Sequence, residues 1–322
     1  MIWVSWRQHR ADLFAMTAVM LLLAIVLLPA GVQMRHVFTH TGMAGCVPSG
    51  LSSSACSNAF DAFQRQFNWF TRLLGWMNLI PGILGAAVGA PLVARELERG
   101  TLQLAFMQSV SRTRWILVKV SLLAVAVIAA AVVFIALVTW TRVPLDRLGS
   151  RLDTNTAFDF EGTVGVGYFL FAFALGAFLG TVTRRVVPAL VATLLVFVPA
   201  RLIVQSSRLS FLPPLTRTAN ASILAHQKVG SDDVLNVTLA ADPSRYATTG
   251  ERMHALSQAT LACPIQKTPD LSCLQAHGVV AIETYVPFNR FWELQLIETA
   301  AFALTAIGLL TITVMIVRWR RN

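Results

Sequence analysis

The sequence predicts an all-α integral membrane protein with six transmembrane helices, cytoplasmic N- and C-termini and a sizeable last extracellular loop domain. Hydrophobic residues make up 55% of the chain and charged residues only 13%, and the mean hydropathy is +0.62, as is typical of membrane proteins. Six apolar runs reach the roughly 20 residues that a helix needs to cross the hydrocarbon core. Helices are expected because lipid offers no partner for an unpaired backbone amide.

The six runs cover residues 13–34, 73–94, 120–141, 162–183, 186–207 and 299–317. The first four contain no Asp, Glu, Lys or Arg. Arg201 lies near the outer end of the fifth run, and Glu298 immediately precedes the sixth. A charge near the bilayer is a functional candidate, but Glu298 is placed to reach water or to pair with Arg290, and this interpretation is favoured.

Basic residues set the predicted orientation. They flank both ends of the chain at Arg7, Arg10, Arg318, Arg320 and Arg321. The positive-inside rule therefore places both ends in the cytoplasm, together with residues 95–119 and the Arg184–Arg185 turn. The net charge of +10 is attributed to topology and to contact with lipid headgroups. Nucleic acid is not an expected partner, because no domain presents a continuous basic face.

Residues 1–207 are expected to form transmembrane helices 1–5, residues 208–292 an extracellular loop domain, and residues 293–322 the sixth helix and a cytoplasmic tail. The first run is kept as an anchor, because it is longer than the roughly 7–15 apolar residues of a cleaved signal peptide. A helix is also expected within the loop domain, over the segment ERMHALSQATLA.

Two patterns indicate how the helices pack. Phenylalanines recur at helical spacing before the second run, at positions Phe60, Phe63, Phe67 and Phe70. They predict an amphipathic helix that lies on the outer leaflet or leads into the second span, with packing favoured over substrate contact. The second and fourth runs each hold a pair of glycines four residues apart: Gly85 with Gly89, and Gly176 with Gly180. Such pairs permit close approach of helices but do not by themselves identify an interface.

The four cysteines all fall in the two large outer loops. An even number on one side suits disulfides in an oxidising compartment. Among three connectivities, the favoured one is local, with Cys46 bonded to Cys56 and Cys263 bonded to Cys273. Four unpaired thiols are the alternative. A zinc site is disfavoured, because neither pair has tight ligand spacing or a matching pair of histidines.

The sequence contains none of the common catalytic motifs. There is no GxxxxGK[ST] phosphate-binding loop, no HExxH zinc motif and no GxSxG nucleophile elbow. We therefore expect no enzymatic activity, no resident metal and no ATP hydrolysis by this chain itself.

The most informative segment is Arg95–Lys119, a charged insert between the second and third runs. Gly100 is placed to stop a helix and Thr101 to cap its restart. The uncharged stretch that follows, which includes Phe106, is about ten residues long and too short to span a bilayer. Docking of this stretch against a partner is favoured over a solvated set of ion pairs. Ser111 can cap the next helix.

The insert resembles the ABC-2 family of ATP-binding-cassette transporter permeases. The matching residues are Arg95, Glu96, Glu98, Gly100, Thr101, Ser109, Ser111, Arg112 and Lys119. They fit the family pattern R-E-x-E-x-G-T…S-x-S-R…K between the second and third spans, and the six-span layout extends the likeness over nearly the whole chain. The WRQHR start is similar to that of some actinobacterial members.

The resemblance implies a short cytoplasmic coupling helix that docks into a groove on a separate ATPase subunit. The implied ATPase-coupling residues are Arg95, Glu96, Glu98, Gly100, Thr101, Phe106, Ser111 and Arg112. Two ATPase copies and two permease chains, identical or related, would form the working unit. ATP and Mg would bind to the partner ATPase, and this chain would bind no cofactor.

We therefore expect the permease subunit of an ABC exporter that moves a hydrophobic or amphipathic small molecule, such as an antibiotic or drug, across the cytoplasmic membrane. Apolar spans without fixed binding charges favour such a substrate, while lipids and small peptides stay open. The alternative is a non-transporting membrane sensor or immunity protein that binds a ligand through its outer loops. A proton-driven transporter is disfavoured, because neither midplane carboxylates nor inverted repeats are evident.

Overall fold

The computed structural model describes residues 2–46, 54–98, 111–147, 152, 157–220, 233–246, 248–263 and 271–319. Within these residues, six helical segments are long and apolar enough to cross a membrane. They are His9–His40, Ser54–Glu98, Thr113–Asp146, Val164–Thr183, Val186–Ser207 and Phe288–Trp319. Each overlaps one of the six expected runs, so the predicted all-α membrane fold is confirmed.

The helices are α1 (Ile2–His40), α2 (Met43–Cys46), α3 (Ser54–Met77), α4 (Ile80–Gly89), α5 (Pro91–Glu98), α6 (Arg112–Asp146), α7 (Val164–Thr183), α8 (Val186–Ser207), α9 (Thr249–Ala262), α10 (Leu271–Ala276) and α11 (Phe291–Trp319). The strands are β1 (Leu215–Asn220), β2 (Asp233–Ala241) and β3 (Val279–Val286). Short 3₁₀ turns cover Phe158–Phe160, Arg208–Ser210 and Phe288–Arg290. Spans one to six are therefore α1, α3–α5, α6, α7, α8 and α11.

The second span is interrupted twice. One interruption separates α3 from α4 at residues 78–79, and the other separates α4 from α5 at Ala90. Pro81 lies in the first turn of α4, and Pro91 is the first residue of α5. Proline is tolerated at these positions because the first N–H groups of a helix have no intrahelical partner. The second span is thus three helical segments in series.

Helix α3 is the amphipathic helix expected before the second span, and it leads directly into that span. Its phenylalanines Phe63, Phe67 and Phe70 are buried in the core, and Phe60 packs against the same cluster. The packing role predicted for this stripe is therefore confirmed.

Spans two and four form the centre of the bundle. Their most apolar windows are 72% and 78% buried, whereas the other spans are 22–33% buried. The paired glycines lie at the contact between the two spans. A Cβ added to Gly89 would lie 2.1 Å from the backbone oxygen of Phe173, and one added to Gly180 would lie 2.3 Å from that of Ala90. The two backbones therefore touch at positions where only glycine fits.

The region between spans five and six contains a sheet that the sequence did not predict. Its order is β1-β3-β2, and both pairings are antiparallel. The expected helix in this region is α9, which begins with a capping box between Thr248 and Glu251. The sheet was missed because β1, with the sequence LTRTAN, has no alternation of apolar and polar residues, and because the pairings join segments far apart in sequence.

Both disulfides have the predicted local pairing. Cys46 is bonded to Cys56, which ties α2 to α3, and Cys263 is bonded to Cys273, which ties the end of α9 to α10. All four cysteines lie among the described residues, and none of them is free. The two bonded cysteines of each pair are 10 positions apart in sequence, so the disulfides constrain local segments between spans one and two and between spans five and six.

Candidate functional site: the insert-end clamp and the buried charge network

Arg95, near the end of α5, binds the first span. Its two terminal nitrogens donate to the two carboxylate oxygens of Asp12 on α1, at 3.1 and 3.0 Å. This bidentate geometry matches the fork of the guanidinium to the carboxylate and fixes their relative orientation. His9 contacts the same carboxylate, with 3.2 Å between its Nδ1 and Asp12 Oδ2. Arg95 therefore joins the second span to the first.

Glu96 binds the third span. Its Oε1 accepts a hydrogen bond from the ammonium group of Lys119 on α6. Lys119 is only 2% exposed and also lies 4.4 Å from the ring centroid of Trp115. A buried ammonium requires a partner charge, and Glu96 supplies it. The second span is thus joined to the third.

Glu98 binds the fifth span through the backbone. Its Oε1 accepts from the N–H of Val186, the first residue of α8, at 2.7 Å. The residue that precedes this helix, Arg185, makes no side-chain cap. The first N–H groups of a helix lack intrahelical partners and favour negative charge. Glu98 therefore acts as the cap of α8 from a residue 88 positions earlier in the chain.

We call this set the insert-end clamp; it comprises Asp12, Arg95, Glu96, Glu98, Lys119 and the N–H of Val186. Sequence reasoning identified the three α5 residues and Lys119 but missed Asp12, which is 83 positions from its partner and lies in no motif. The clamp attaches the last turn of α5, just before the insert, to α1, α6 and α8. A displacement of the insert would thus act on four spans together.

The other expected coupling residues lie beyond this turn. Gly100, Thr101 and Phe106 are outside the described residues. Ser111 caps α6, as expected, because its Oγ accepts from the N–H of Arg114 at 3.4 Å. Arg112 is the first residue of α6.

A second polar cluster lies at the opposite end of the bundle, since α8 begins at the clamp and ends at this cluster. We call it the buried charge network; its members are Asp159, Tyr168, Arg201, Arg208 and Glu298. Each of them is at most 6% exposed. They come from the segment before α7, from α7 itself, from the end of α8 and from α11.

Asp159 is the centre of this network. Its carboxylate accepts from both guanidinium groups, those of Arg201 and Arg208, each through Nη2. The hydroxyl of Tyr168 lies 3.0 Å from Asp159 Oδ1 and also within hydrogen-bonding distance of Glu298 Oε1, so the two carboxylates share its single proton. A buried carboxylate is stable in such a place only when charged donors surround it, and here they do.

Glu298 corrects an expectation from the sequence. It neither reaches water nor pairs with Arg290. It is fully buried, accepts from Arg208 Nε at 2.8 Å and from the Tyr168 hydroxyl, while Arg290 donates to the backbone oxygen of Pro213 at 2.7 Å. The prediction was wrong because the partners of Glu298 are 90 and 130 positions away and no local pattern reports them.

Arg201 connects the network to the break in the second span. Nη1 donates to the backbone oxygen of Asn78, and Nη2 donates to its side-chain oxygen, both at 2.7 Å. Asn78 lies between α3 and α4. Arg201 thus supplies donors to a carbonyl and an amide oxygen at the break between the two helices.

The network is electrically balanced, with two guanidinium groups against the carboxylates of Asp159 and Glu298. Burial alone would lower the pKa of Arg208, but the Asp159 carboxylate and the hydrogen bond to Glu298 together raise it above its ordinary value. Arg208 therefore stays charged at every physiological pH. Its Nη1 and the Nε of Arg201 are buried without a hydrogen-bond partner among the described residues.

One group of possible metal ligands occurs among the described residues, formed by Cys263, Cys273 and His277. The two sulfur atoms are bonded to each other, so no thiolate is available to a metal ion. His277 Nδ1 lies 2.9 Å from the backbone oxygen of Cys273. The Cys263–Cys273 disulfide therefore cross-links two segments of the loop domain.

Six spans with a polar insert after the second one define a multi-pass membrane protein. Comparison with protein families identifies its family. The chain belongs to the ABC-2 membrane transporter related family, whose model matches residues 17–208. That match runs from within span one to the end of span five and includes the insert. No curated protein and no solved structure matches the chain.

The family membership accounts for the missing catalytic motifs. An ABC-2 permease is the membrane subunit of an ABC transporter; it is not itself catalytic, and it works with an ATPase partner. The family and the six apolar helices together make this chain a multi-pass protein of the plasma membrane.

Proposed function

We propose that this chain is the permease subunit of an ABC exporter and that its ATPase partner docks on the insert at 95–119. The observation that carries the proposal is the insert-end clamp. Arg95, Glu96 and Glu98 bind three other spans from one helical turn, next to the segment that would receive the partner. A force applied to the insert is thereby delivered to α1, α6 and α8 as well as to the second span.

The roles of the coupling residues differ in this proposal. Arg95, Glu96 and Glu98 are already engaged within the chain, so they act by holding the insert. Phe106 and Arg112, further along the insert, make the contact with the ATPase. An apolar side chain in a short segment that cannot span the bilayer is stabilised when a partner covers it.

The proposed substrate is a hydrophobic or amphipathic small molecule. The outward faces of α1, α6, α8 and α11 carry large apolar side chains, such as Leu22, Val133, Leu195 and Ile307. The buried charge network has no net charge, because its two guanidinium groups balance its two carboxylates, so it offers no fixed charge to an ionic substrate. We propose a second permease chain, with the pathway between the two copies, and two ATPase copies that bind ATP and Mg.

Co-purification tests the docking. The chain is expressed with its ATPase partner, and the amount of ATPase recovered is compared among the parent, Phe106→Asp with Arg112→Ala, and the control Arg65→Ala on the exposed face of α3. Loss of a central contact of about 1.4 kcal/mol lowers affinity roughly tenfold, so the insert variant should recover far less ATPase.

Unchanged recovery with the insert variant would contradict the docking site. Recovery of no nucleotide-binding subunit by the parent chain would instead favour the alternative, a sensor or immunity protein. ATP-dependent uptake of a hydrophobic fluorescent dye by inverted membrane vesicles then tests the substrate class, because only an exporter concentrates the dye in them.

A further inference from the structure

We infer that the buried charge network is a positioning joint, which couples the break in the second span to the loop domain. Movement that enters at the insert-end clamp would pass through this joint to the loop domain, residues 208–292. The inference rests on the proposed function for the source of the movement. Its geometry comes from contacts within this chain alone.

The first step is the energetic character of the network. Enclosing two guanidinium groups and two carboxylates among helices requires each charge to lose its water. The ion pairs offset this loss but seldom exceed it, and apolar residues of similar volume often stabilise a protein equally well. A buried network of this kind is therefore weak as a device for stability. Its best-attested role is to fix one arrangement of elements over others.

The second step is the route from the clamp to the network. Helices α4 and α5 run from the break at residues 78–79 to the clamp at Glu98. They pack against α7 backbone to backbone, because Gly85, Gly89, Gly176 and Gly180 remove the side chains between them. Backbones in such contact cannot slide independently over a small distance. The second span therefore moves together with α7, which carries Tyr168.

The third step is the attachment at the break. Arg201 holds both oxygens of Asn78 and, through the same guanidinium, the carboxylate of Asp159. The N-terminal end of α4 is thus bound to the network by directional hydrogen bonds. A tilt of α4 about this break changes the position of Arg201, and Arg201 cannot move without Asp159.

The fourth step is the exit to the loop domain. Arg208 is the residue at which the chain leaves α8 and enters the loop domain, and Glu298 lies in α11, where the chain returns to the membrane. Arg208 binds both Asp159 and Glu298. Gln295, one turn before Glu298, accepts from the N–H of Val164 at the start of α7. Both chain connections of the loop domain are therefore fixed to the same network, and a shift of the network displaces both.

Hydrogen exchange in lipid nanodiscs tests this coupling on the chain alone. The clamp is released with Arg95→Gln, Glu96→Ala and Glu98→Ala, which remove the groups that bind Asp12, Lys119 and Val186. Exchange is then measured at amides of β3 and α9 in the loop domain. The clamp release is then repeated on an apolar-network background: Asp159→Leu, Tyr168→Phe, Arg201→Met, Arg208→Met and Glu298→Met. Arg114→Gln, an exposed change at the same end of the bundle but outside the clamp, is the control.

Release of the clamp should change loop-domain exchange about tenfold in the parent, as expected for a coupled sub-global opening. On the apolar background the same release should change it less than about twofold. The control should leave it unchanged. No response in the parent, or an equal response on both backgrounds, would overturn the joint.

A milder background keeps the test decisive if the fivefold variant does not fold. Asn78→Ala with Tyr168→Phe removes the side-chain oxygen at the break and the shared hydroxyl but leaves every ion pair in place. It must also reduce the response, and an undiminished response would overturn the joint. The exchange experiment contains no ATPase. If the chain recruits no ATPase in the co-purification but still shows the exchange response, the proposed function is contradicted and the joint is supported. If the chain recruits the ATPase but shows no exchange response, the joint is contradicted and the proposed function is supported.

Discussion

At the scale of single residues, side chains far apart in sequence supply helix caps and charge partners that usually come from neighbouring residues. Glu98 caps a helix that begins 88 positions later, and Glu96 neutralises a lysine in another span. Arg184 ends α7 in the left-handed region, with φ of 58°, where glycine is the usual residue. The turn between spans four and five is therefore tight, and its stability depends on the cap supplied by Glu98.

Substitution of Glu98 separates its role as a cap from its charge. Glu98→Ala should lower the free energy of unfolding by about 0.5–2 kcal/mol, the usual effect of losing a helix cap. Glu98→Gln keeps an oxygen that accepts from Val186 and should lose clearly less. Chemical unfolding in detergent, followed by circular dichroism, measures both. Equal losses for the two variants would show that the charge, rather than the cap, matters.

The residues that sequence could and could not identify differ in one physical respect. Arg95, Glu96 and Glu98 lie within four consecutive residues, so a motif revealed them. Asp159 and Glu298 have partners that the fold brings from far along the chain, and no sequence motif links either carboxylate to those partners. A lone carboxylate beside an apolar run predicts a position in the membrane but not the ion pair that makes the position possible.

At the scale of elements, the contact between α4 and α7 determines how the bundle is built. Sequence supplied the glycine pairs but could not say that they face each other, because small-residue pairs are frequent in transmembrane helices. The structure shows that they lie at one contact. The amphipathic α3 could be predicted fully, since its period of 3.6 residues is an intrinsic property of the segment. The sheet could not, because its pairings are long-range.

Gly89→Ala tests the backbone contact. The added methyl group would lie 2.1 Å from a backbone oxygen, so α4 and α7 must separate. The expected loss is about 1–3 kcal/mol or more, the range for overpacked cores. Gly308→Ala is the matched control, because nothing lies within 4 Å of its added methyl and alanine favours helix over glycine.

Thermal unfolding in the same detergent should show a lower midpoint for Gly89→Ala and an equal or higher one for Gly308→Ala. If both variants unfold like the parent, the close approach of these two spans is not what holds the centre of the bundle.

At the scale of the whole molecule, the six-span bundle has a cluster of charged side chains at each end and an apolar middle. The clamp gathers α1, α5, α6 and α8 at one end, and the buried charge network gathers α4, α7, α8 and α11 at the other. Composition and hydropathy were enough to predict the spans, because the requirement for about 20 apolar residues is set by the bilayer. The orientation of the bundle stays a prediction from the positive-inside rule.

The central claim is that energy enters this chain from an ATPase that contacts the insert on the cytoplasmic side. Site-directed labelling tests it most directly. All four native cysteines are bonded in disulfides. The substitution Ser109→Cys therefore gives a variant whose single free thiol lies in the insert. A membrane-impermeant maleimide is then applied to intact cells and to opened membranes, with and without the ATPase partner. We expect labelling only in opened membranes and protection when the ATPase is bound, whereas labelling of intact cells would contradict the account.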